Sequence, residues 1–241
     1  YETVIAEAGS FMMMDSEIKM ATIFGDGSHQ EAKGGIWDKV LTAGKRLLTG
    51  ESLFLTAFTH GGTGKKRVSF ASPYPGKIIP LDLSKFEGKI VCQKDAFLCA
   101  AKGVHVGIEF SQKLGRGLFG GEGFIMQKLE GDGMAFVHAG GHVTKKELAL
   151  GEALLVDTGC LVALTRDVHY DIEMVKGIRN IFFGGEGLFY SRLEGPGTVW
   201  IQTLPFSRLA QRIFSAAPQT GGGGKDEGSI LGGLGNLLDG R

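Results

Sequence analysis

Two histidines are the side chains of this sequence whose spacing comes nearest to that of a metal site. His138 and His142 are four residues apart, an interval that brings two imidazoles together when the segment is helical. The intervening Ala139-Gly140-Gly141 predicts a turn instead, and no further ligand accompanies the pair. We keep the two histidines as candidate ligands and predict no bound metal and no other cofactor.

A glycine-rich segment with one carboxylate occurs three times. Gly120-Gly121-Glu122-Gly123 returns 64 residues later as Gly184-Gly185-Glu186-Gly187, and a degenerate copy stands at Thr49-Gly50-Glu51-Ser52. Three carboxylates meeting on a pseudo-threefold axis would suit a cation. We favour a structural turn in which each carboxylate accepts backbone N–H groups, because a catalytic site rarely needs copying within one chain. The residues predicted to form these turns are Gly50, Glu51, Gly121, Glu122, Gly185 and Glu186.

Other sequence patterns that carry catalysis are missing. Cys92, Cys99 and Cys160 form no Cys-x-x-Cys pair, and the sequence has neither a Gly-x-Ser-x-Gly motif nor a dinucleotide-binding glycine pattern. Gly44-Lys45 is followed by Arg46 and therefore departs from the phosphate-binding loop. We predict that the protein is not an enzyme. Three cysteines without a pairing pattern are typical of reduced thiols, which predicts a cytoplasmic location.

The charge of the chain is balanced. Its 26 Lys and Arg residues are matched by 26 Asp and Glu residues, so no overall field attracts nucleic acid or an anionic membrane. A short basic run, Lys65-Lys66-Arg67, keeps nucleic-acid binding open as an alternative. No apolar run approaches the roughly 18–20 residues that span a bilayer.

Composition and repetition together predict an all-β fold. Forty glycines, six prolines and sixteen phenylalanines favour many tight turns between apolar strands. Each Gly-Glu copy precedes an apolar strand, a glycine turn and a second strand, which predicts a hairpin. We expect one domain over residues 1–204 made of three β-sandwich repeats, at about 1–71, 72–138 and 139–204. Met12-Met13-Met14 is predicted to fill a buried strand.

Two segments depart from the β pattern. Apolar residues around Trp37 have helical spacing and predict a short helical insert. A helix is predicted over residues 205–216, followed by a glycine-rich tail over residues 217–241. The surface predicted to meet a partner or a membrane consists of Trp37, Phe206, Leu209 and Ile213.

Several segments resemble a widespread family of uncharacterised bacterial and archaeal proteins, related to a mitochondrial protein named for altered inheritance of mitochondria. The resemblance extends from residue 1 to about residue 213, and it rests on the Gly-Gly-Glu-Gly copies together with residues 6–12 (Ala-Glu-Ala-Gly-Ser-Phe-Met) and residues 45–54 (Lys-Arg-Leu-Leu-Thr-Gly-Glu-Ser-Leu-Phe). It implies a double-stranded β-helix-like sandwich, grouped with the tryptophan RNA-binding attenuation protein and repeated within one chain. It also implies a homo-oligomer, for which we favour a trimer. The mitochondrial member is associated with inner-membrane organisation, and the family offers no catalytic residues to transfer.

These observations favour a non-enzymatic, oligomeric β scaffold that binds a partner, peripheral to a membrane. Symmetric repetition without a catalytic constellation is the reason for this hypothesis. Two alternatives stay open. The fold resemblance and the Lys65-Lys66-Arg67 run suggest nucleic-acid binding, although the balanced charge argues against it. A cupin-like binder of a small molecule or a metal is the other alternative, with His138 and His142 as its ligands.

Overall fold

The computed structural model describes residues 2–24, 54–112, 124–174 and 189–217. Strands dominate these residues and one α-helix follows them, which confirms the predicted all-β fold with a C-terminal helix. The predicted insert around Trp37 lies outside the described residues. The strands and the helix are β1 (Glu2–Glu7), β2 (Phe11–Met14), β3 (Lys19–Phe24), β4 (Phe54–His60), β5 (Val68–Phe70), β6 (Gly76–Asp82), β7 (Lys89–Gln93), β8 (Phe97–Ala101), β9 (His105–Gln112), β10 (Phe124–Glu130), β11 (Met134–Gly140), β12 (Val143–Leu148), β13 (Ala153–Asp157), β14 (Leu161–Thr165), β15 (His169–Met174), β16 (Phe189–Glu194), β17 (Gly197–Gln202) and α1 (Phe206–Ala216).

The chain divides into two units, residues 1–209 and residues 210–241. All strands belong to the first unit, and the described part of the second consists of the end of α1 and residue 217. No helix within the described ranges is long and apolar enough to cross a membrane.

The described strands of the first unit form four antiparallel sheets. Two sheets have six strands, in the orders β3-β4-β1-β8-β11-β6 and β12-β17-β14-β7-β10-β9. A three-stranded sheet has the order β13-β16-β15, and β2 pairs with β5 in a two-stranded sheet. Most consecutive strands therefore lie in different sheets, and the pairs that share a sheet are β3 with β4, β9 with β10 and β15 with β16.

One pairing pattern recurs in three consecutive groups of strands, namely β1–β5, β7–β11 and β13–β17. In each group the fourth strand pairs with both the first and the third, as β4 does with β1 and β3. The second strand of each group pairs with the fifth, as β2 does with β5, and a register shift interrupts each of these three ladders. The three groups thus share one set of strand neighbours.

Neighbouring groups are joined through two further ladders. β1 of the first group pairs with β8 of the second, and β7 of the second pairs with β14 of the third. The strands that follow the first and second groups, β6 and β12, pair with β11 and β17. Each junction between groups is therefore a continuous sheet and not a contact between separate surfaces.

The predicted hairpins are wrong, although their strands are present. β10 and β11 flank the turn at Gly131-Asp132-Gly133 but lie in different sheets, as do β16 and β17 around Gly195-Pro196-Gly197. Gly131 and Gly197 both have φ of 145°, a conformation that side-chain-bearing residues rarely adopt. These glycine turns carry the chain from one sheet to another, whereas a hairpin turn would join two strands of one ladder.

Apolar side chains fill the space between sheets in three clusters. One lies between the two-stranded sheet and the first six-stranded sheet, and it includes Phe58 and Leu98. A second lies between the two six-stranded sheets and includes Ile5 and Leu129. The third, which includes Leu193, lies between the second six-stranded sheet and the three-stranded sheet. Burial of each such side chain contributes roughly 1.5–3 kcal/mol, so these clusters hold the sheets together.

Candidate interaction surfaces

The two candidate metal ligands lie in different surroundings. His138 is buried on β11, with its ring edge-on to Tyr74 and the ring centroids 4.2 Å apart. Burial lowers the pKa of His138 below its usual value, against the raising effect of the Tyr74 backbone. His142 is exposed between β11 and β12. Within residues 2–24, 54–112, 124–174 and 189–217, no three His, Cys, Asp or Glu side chains are placed to hold a metal ion.

The predicted Gly-Glu turns fall between the third and fourth strands of each group. Their positions lie outside the described residues, and so does Trp37. Their structural role therefore stays a prediction. The turn residues concerned are Gly50, Glu51, Gly121, Glu122, Gly185 and Glu186.

The short basic run lies beside acidic side chains. The Lys66 ammonium pairs with the Glu17 carboxylate. The backbone N–H of Arg67 donates to Oδ2 of Asp15 at 2.8 Å. Both carboxylates, Glu17 and Asp15, therefore offset the charge of Lys66, the middle residue of the run. This compensation does not favour the nucleic-acid alternative.

A cluster of ionisable side chains lies at the junction of the first two groups. Glu7 ends β1, and Asp95 lies in the 3-10 turn between β7 and β8. Burial and the nearby Asp95 raise the pKa of Glu7 to about 7, while Lys94 opposes the shift. Burial, Asp95 and Glu7 raise the pKa of Tyr74 to about 12. Glu7 thus exchanges its proton near neutral pH, which its sequence surroundings gave no reason to expect.

Helix α1 presents the apolar face that the sequence predicts. Phe206, Leu209 and Ile213 recur at helical spacing, and Phe214 extends the same face. Phe206, Ile213 and Phe214 are exposed, and no residue of the helix is buried. The ring centroids of Phe206 and Tyr74 lie 5.2 Å apart, and both residues belong to the first unit.

The opposite face of α1 carries basic residues. Arg208 and Arg212 lie one helical turn apart, and the helix sequence contains no acidic residue. Nη2 of Arg208 donates to Oδ2 of Asp157, at the end of β13, at 2.9 Å. The guanidinium of Arg212 places a positive charge on the face of the helix that is opposite the apolar face. This arrangement is typical of helices that lie on membrane surfaces.

Strand β2 has an exposed apolar edge, which corrects the prediction for Met12-Met13-Met14. Met12 is 61% exposed and Met13 is 58% exposed. Within the described part of the chain, β2 pairs with β5 alone. The second strands of the other groups, β8 and β14, are buried because apolar clusters cover both faces of the six-stranded sheets in which they lie. The apolar run predicts a strand, but its burial depends on a neighbour that the run does not reveal.

Strand β13 has the complementary open edge. It pairs with β16 on one side and is the outermost strand of its sheet. Leu155, in the middle of β13, is 58% exposed. The first strands of the other two groups, β1 and β7, are covered on this side by β8 and β14. Alternation of apolar residues could not distinguish β13 from these covered strands.

Comparison with known proteins assigns the chain to a family. The family model described as Mitochondrial biogenesis AIM24 matches residues 1–204. The chain belongs to this family. An uncharacterised protein of Streptococcus pyogenes serotype M6 is 29% identical to it over 219 residues, which cover 90% of this chain and 83% of that protein. These matches confirm the family that the sequence motifs suggest.

A crystal structure supports the fold. A Streptococcus pyogenes protein solved by structural genomics superposes with a TM-score of 0.68 over 90% of each chain, at 24% sequence identity. At this identity the similarity shows a common fold and carries no statement about activity or ligands.

Proposed function

We propose that this protein is a non-enzymatic β scaffold that associates with further copies of itself and lies at a membrane surface through α1. The three groups of strands are copies of one β-sandwich module in this proposal. Their recurring ladders support it, together with the 64-residue offset between the second and third groups. The oligomer is built from these modules, with a trimer as the simplest assembly of a threefold-repeated chain. The proposed location is the cytoplasmic side of a membrane.

The observation that carries the membrane part of this proposal is the exposed apolar face of α1. Phe206, Ile213 and Phe214 together place two aromatic rings and one branched chain in water. Arg212 on the opposite face would lie near anionic headgroups while the apolar face enters the interface. A single helix of this length gives reversible binding, and several copies in one oligomer strengthen it through avidity.

Flotation with vesicles tests the proposal. The full chain is mixed with phosphatidylcholine vesicles that contain or lack phosphatidylglycerol, and then centrifuged through a density gradient. We expect the protein to float with the anionic vesicles and the double variant Ile213→Ser/Phe214→Ser to lose at least three quarters of this binding. Gln211→Ser, on the exposed polar face of the same helix, serves as the matched control and should float like the parent protein.

Two results would count against the proposal. The first is absence of flotation with either vesicle type. The second is equal flotation of the double variant and the Gln211→Ser control, which would show that α1 does not contact lipid.

A further inference from the structure

The junction between successive groups is built twice in the same way. β1 pairs with β8 so that Ile5 lies opposite Ala100, and β7 pairs with β14 so that Val91 lies opposite Leu164. Ile5 and Val91 are both the third residue from the end of the first strand of their group. The two junctions therefore share not only their strands but also their register.

Among the strands that the structure describes, one strand in the first group and one in the third correspond to the two halves of this junction but do not form it. β13 is the third strand of the β1 and β7 type, and β2 is the third strand of the β8 and β14 type. Leu155 occupies the position of Ile5 and Val91, as its ladder with β16 shows. Met14 occupies the position of Ala100 and Leu164, as its ladder with β5 shows.

The composition of these two edges supports pairing. Sheet edges that face water usually carry charges or proline, which prevent association. β12 has Lys145 and Lys146 on such an edge, and β6 has Lys77 and Pro80. By contrast, β2 consists of one phenylalanine and three methionines, and β13 has four apolar residues before its final aspartate.

We infer that β13 of one copy pairs antiparallel with β2 of a second copy and continues the same sheet from chain to chain. The register of the two internal junctions places Leu155 opposite Met14 and Val156 opposite Met13. The contact joins different surfaces of the two copies, so a pair of chains still has one open β2 edge and one open β13 edge. Such head-to-tail contacts produce a closed ring when the rotation closes, and a filament when it does not.

A second copy fits these edges better than the same chain does. β2 and β13 lie in separate sheets, and Met13 and Leu155, which lie at the centre of the proposed ladder, are both exposed. At the internal junctions the corresponding residues Cys99 and Val91 are buried because another sheet packs on each of them. Met13 and Leu155 lie on faces that none of the described sheets covers, so this junction is open in the single chain.

Disulfide trapping between two variants, each with one cysteine introduced at an exposed edge in addition to the buried Cys92, Cys99 and Cys160, tests the register. Paired residues of an antiparallel ladder have Cα atoms about 4.5–5.5 Å apart, which suits a disulfide. Leu155→Cys and Met14→Cys are purified separately, mixed, oxidised and run on a non-reducing gel. We expect a two-chain product that neither variant forms alone. Leu155→Cys mixed with Met13→Cys is the matched control, since a shift of one residue puts the two thiols on opposite faces, and its product should be at least ten-fold weaker.

A folding control, a second cysteine pair and a double variant complete the experiment. Thermal unfolding establishes that each variant is folded, and Leu154→Cys with Asp15→Cys provides a second pair from the same register. A faster-migrating single chain from the double variant Leu155→Cys/Met14→Cys, with no two-chain product from the mixture, would overturn the inference in favour of closure within one chain. The inference rests on the proposed self-association. If the protein assembles but the Leu155→Cys/Met14→Cys mixture and the control mixture give no product or equal amounts of product, the proposed interface is wrong while self-association stands. A sedimentation mass of one chain would overturn both the interface and the self-association.

Discussion

Val91 and Leu155 occupy the same position in β7 and β13 but differ in what covers them. They are 64 residues apart, each is the middle residue of a five-residue strand, and each pairs with the fourth strand of its own group. Val91 is 2% exposed because it faces the three-stranded sheet across the third apolar cluster. Leu155 is 58% exposed because its neighbours Leu154 and Val156 face that cluster and Leu155 points to the opposite, uncovered face of its sheet. The difference therefore comes from the sheet that packs on each strand and not from the strand itself.

The same substitution is expected to reduce the free energy of unfolding strongly at Val91 and only slightly at Leu155. Val91→Lys places an unpaired ammonium in the core, and we expect it to lower the free energy of unfolding by roughly 3–5 kcal/mol or to prevent folding. Leu155→Lys places the same group at an open edge, where a change within about 0.5 kcal/mol is expected for the single chain. Urea unfolding at low protein concentration measures both values. Equal destabilisation by the two variants would show that Leu155 is covered within its own chain.

The raised pKa of Glu7 predicts that the free energy of unfolding falls as the pH rises. Its pKa is about 7 in the folded protein, compared with an ordinary value of 4.5, so the folded state holds more of this proton between these values. The stabilisation is complete below pH 4.5 and is lost as the pH rises through 7. Its size is roughly 1–3 kcal/mol. Urea unfolding at pH 5 and pH 8 should show this loss in the parent protein and not in Glu7→Gln.

The control for this prediction is Glu2→Gln, an exposed residue on the same strand. It should retain the pH dependence of the parent protein. Burial lowers the pKa of His138, which opposes the effect of Glu7, but this contribution is common to all three proteins and cancels in the comparison. If the free energy of unfolding of Glu7→Gln differs between pH 5 and pH 8 as much as that of the parent protein, Glu7 is not the source of the pH dependence.

The side chain of Gln202 forms two buried hydrogen bonds, and their loss is expected to lower the stability of the fold. Its Oε1 accepts from the backbone N–H of Gly140 at 2.7 Å, and its Nε2 donates to the carbonyl of Gly159 at 2.9 Å. Gln202→Leu leaves both buried backbone groups unpaired, and we expect a loss of roughly 2–4 kcal/mol in the free energy of unfolding. Gln127→Leu is the control, because Oε1 of Gln127 has no hydrogen-bond partner among the described residues. A larger loss from Gln127→Leu would contradict the assigned role of Gln202.

The sequence predicts best the features that depend on neighbouring residues along the chain. The strands follow from short apolar runs between glycines. Helix α1 follows from the spacing of its apolar residues behind Pro205, whose carbonyl accepts the N–H groups of Arg208 and Leu209 at 3.0 and 3.2 Å. These signals are local, and the elements they predict are present.

The sequence predicts least where residues distant along the chain determine the surroundings. The turn at Gly131-Asp132-Gly133 has the composition of a hairpin turn, yet it joins strands of two sheets, because the fourth and fifth strands of each group have other partners. Met12 and Met13 have the apolarity of core residues but are exposed, because none of the described sheets packs on their face of the two-stranded sheet. The pKa of Glu7 is raised only through folding, which buries its carboxyl group and brings Asp95 near it.

The mass of the protein in solution tests the central claim most directly. Sedimentation velocity over a range of concentrations compares the parent chain with Leu155→Lys and with Leu150→Lys, a control at an exposed position in the turn before β13. We predict that the parent and Leu150→Lys sediment as assemblies of several chains, and that Leu155→Lys shifts to a single folded chain because a charge at this edge prevents strand pairing. A parent protein that sediments as one chain at every concentration would contradict the account.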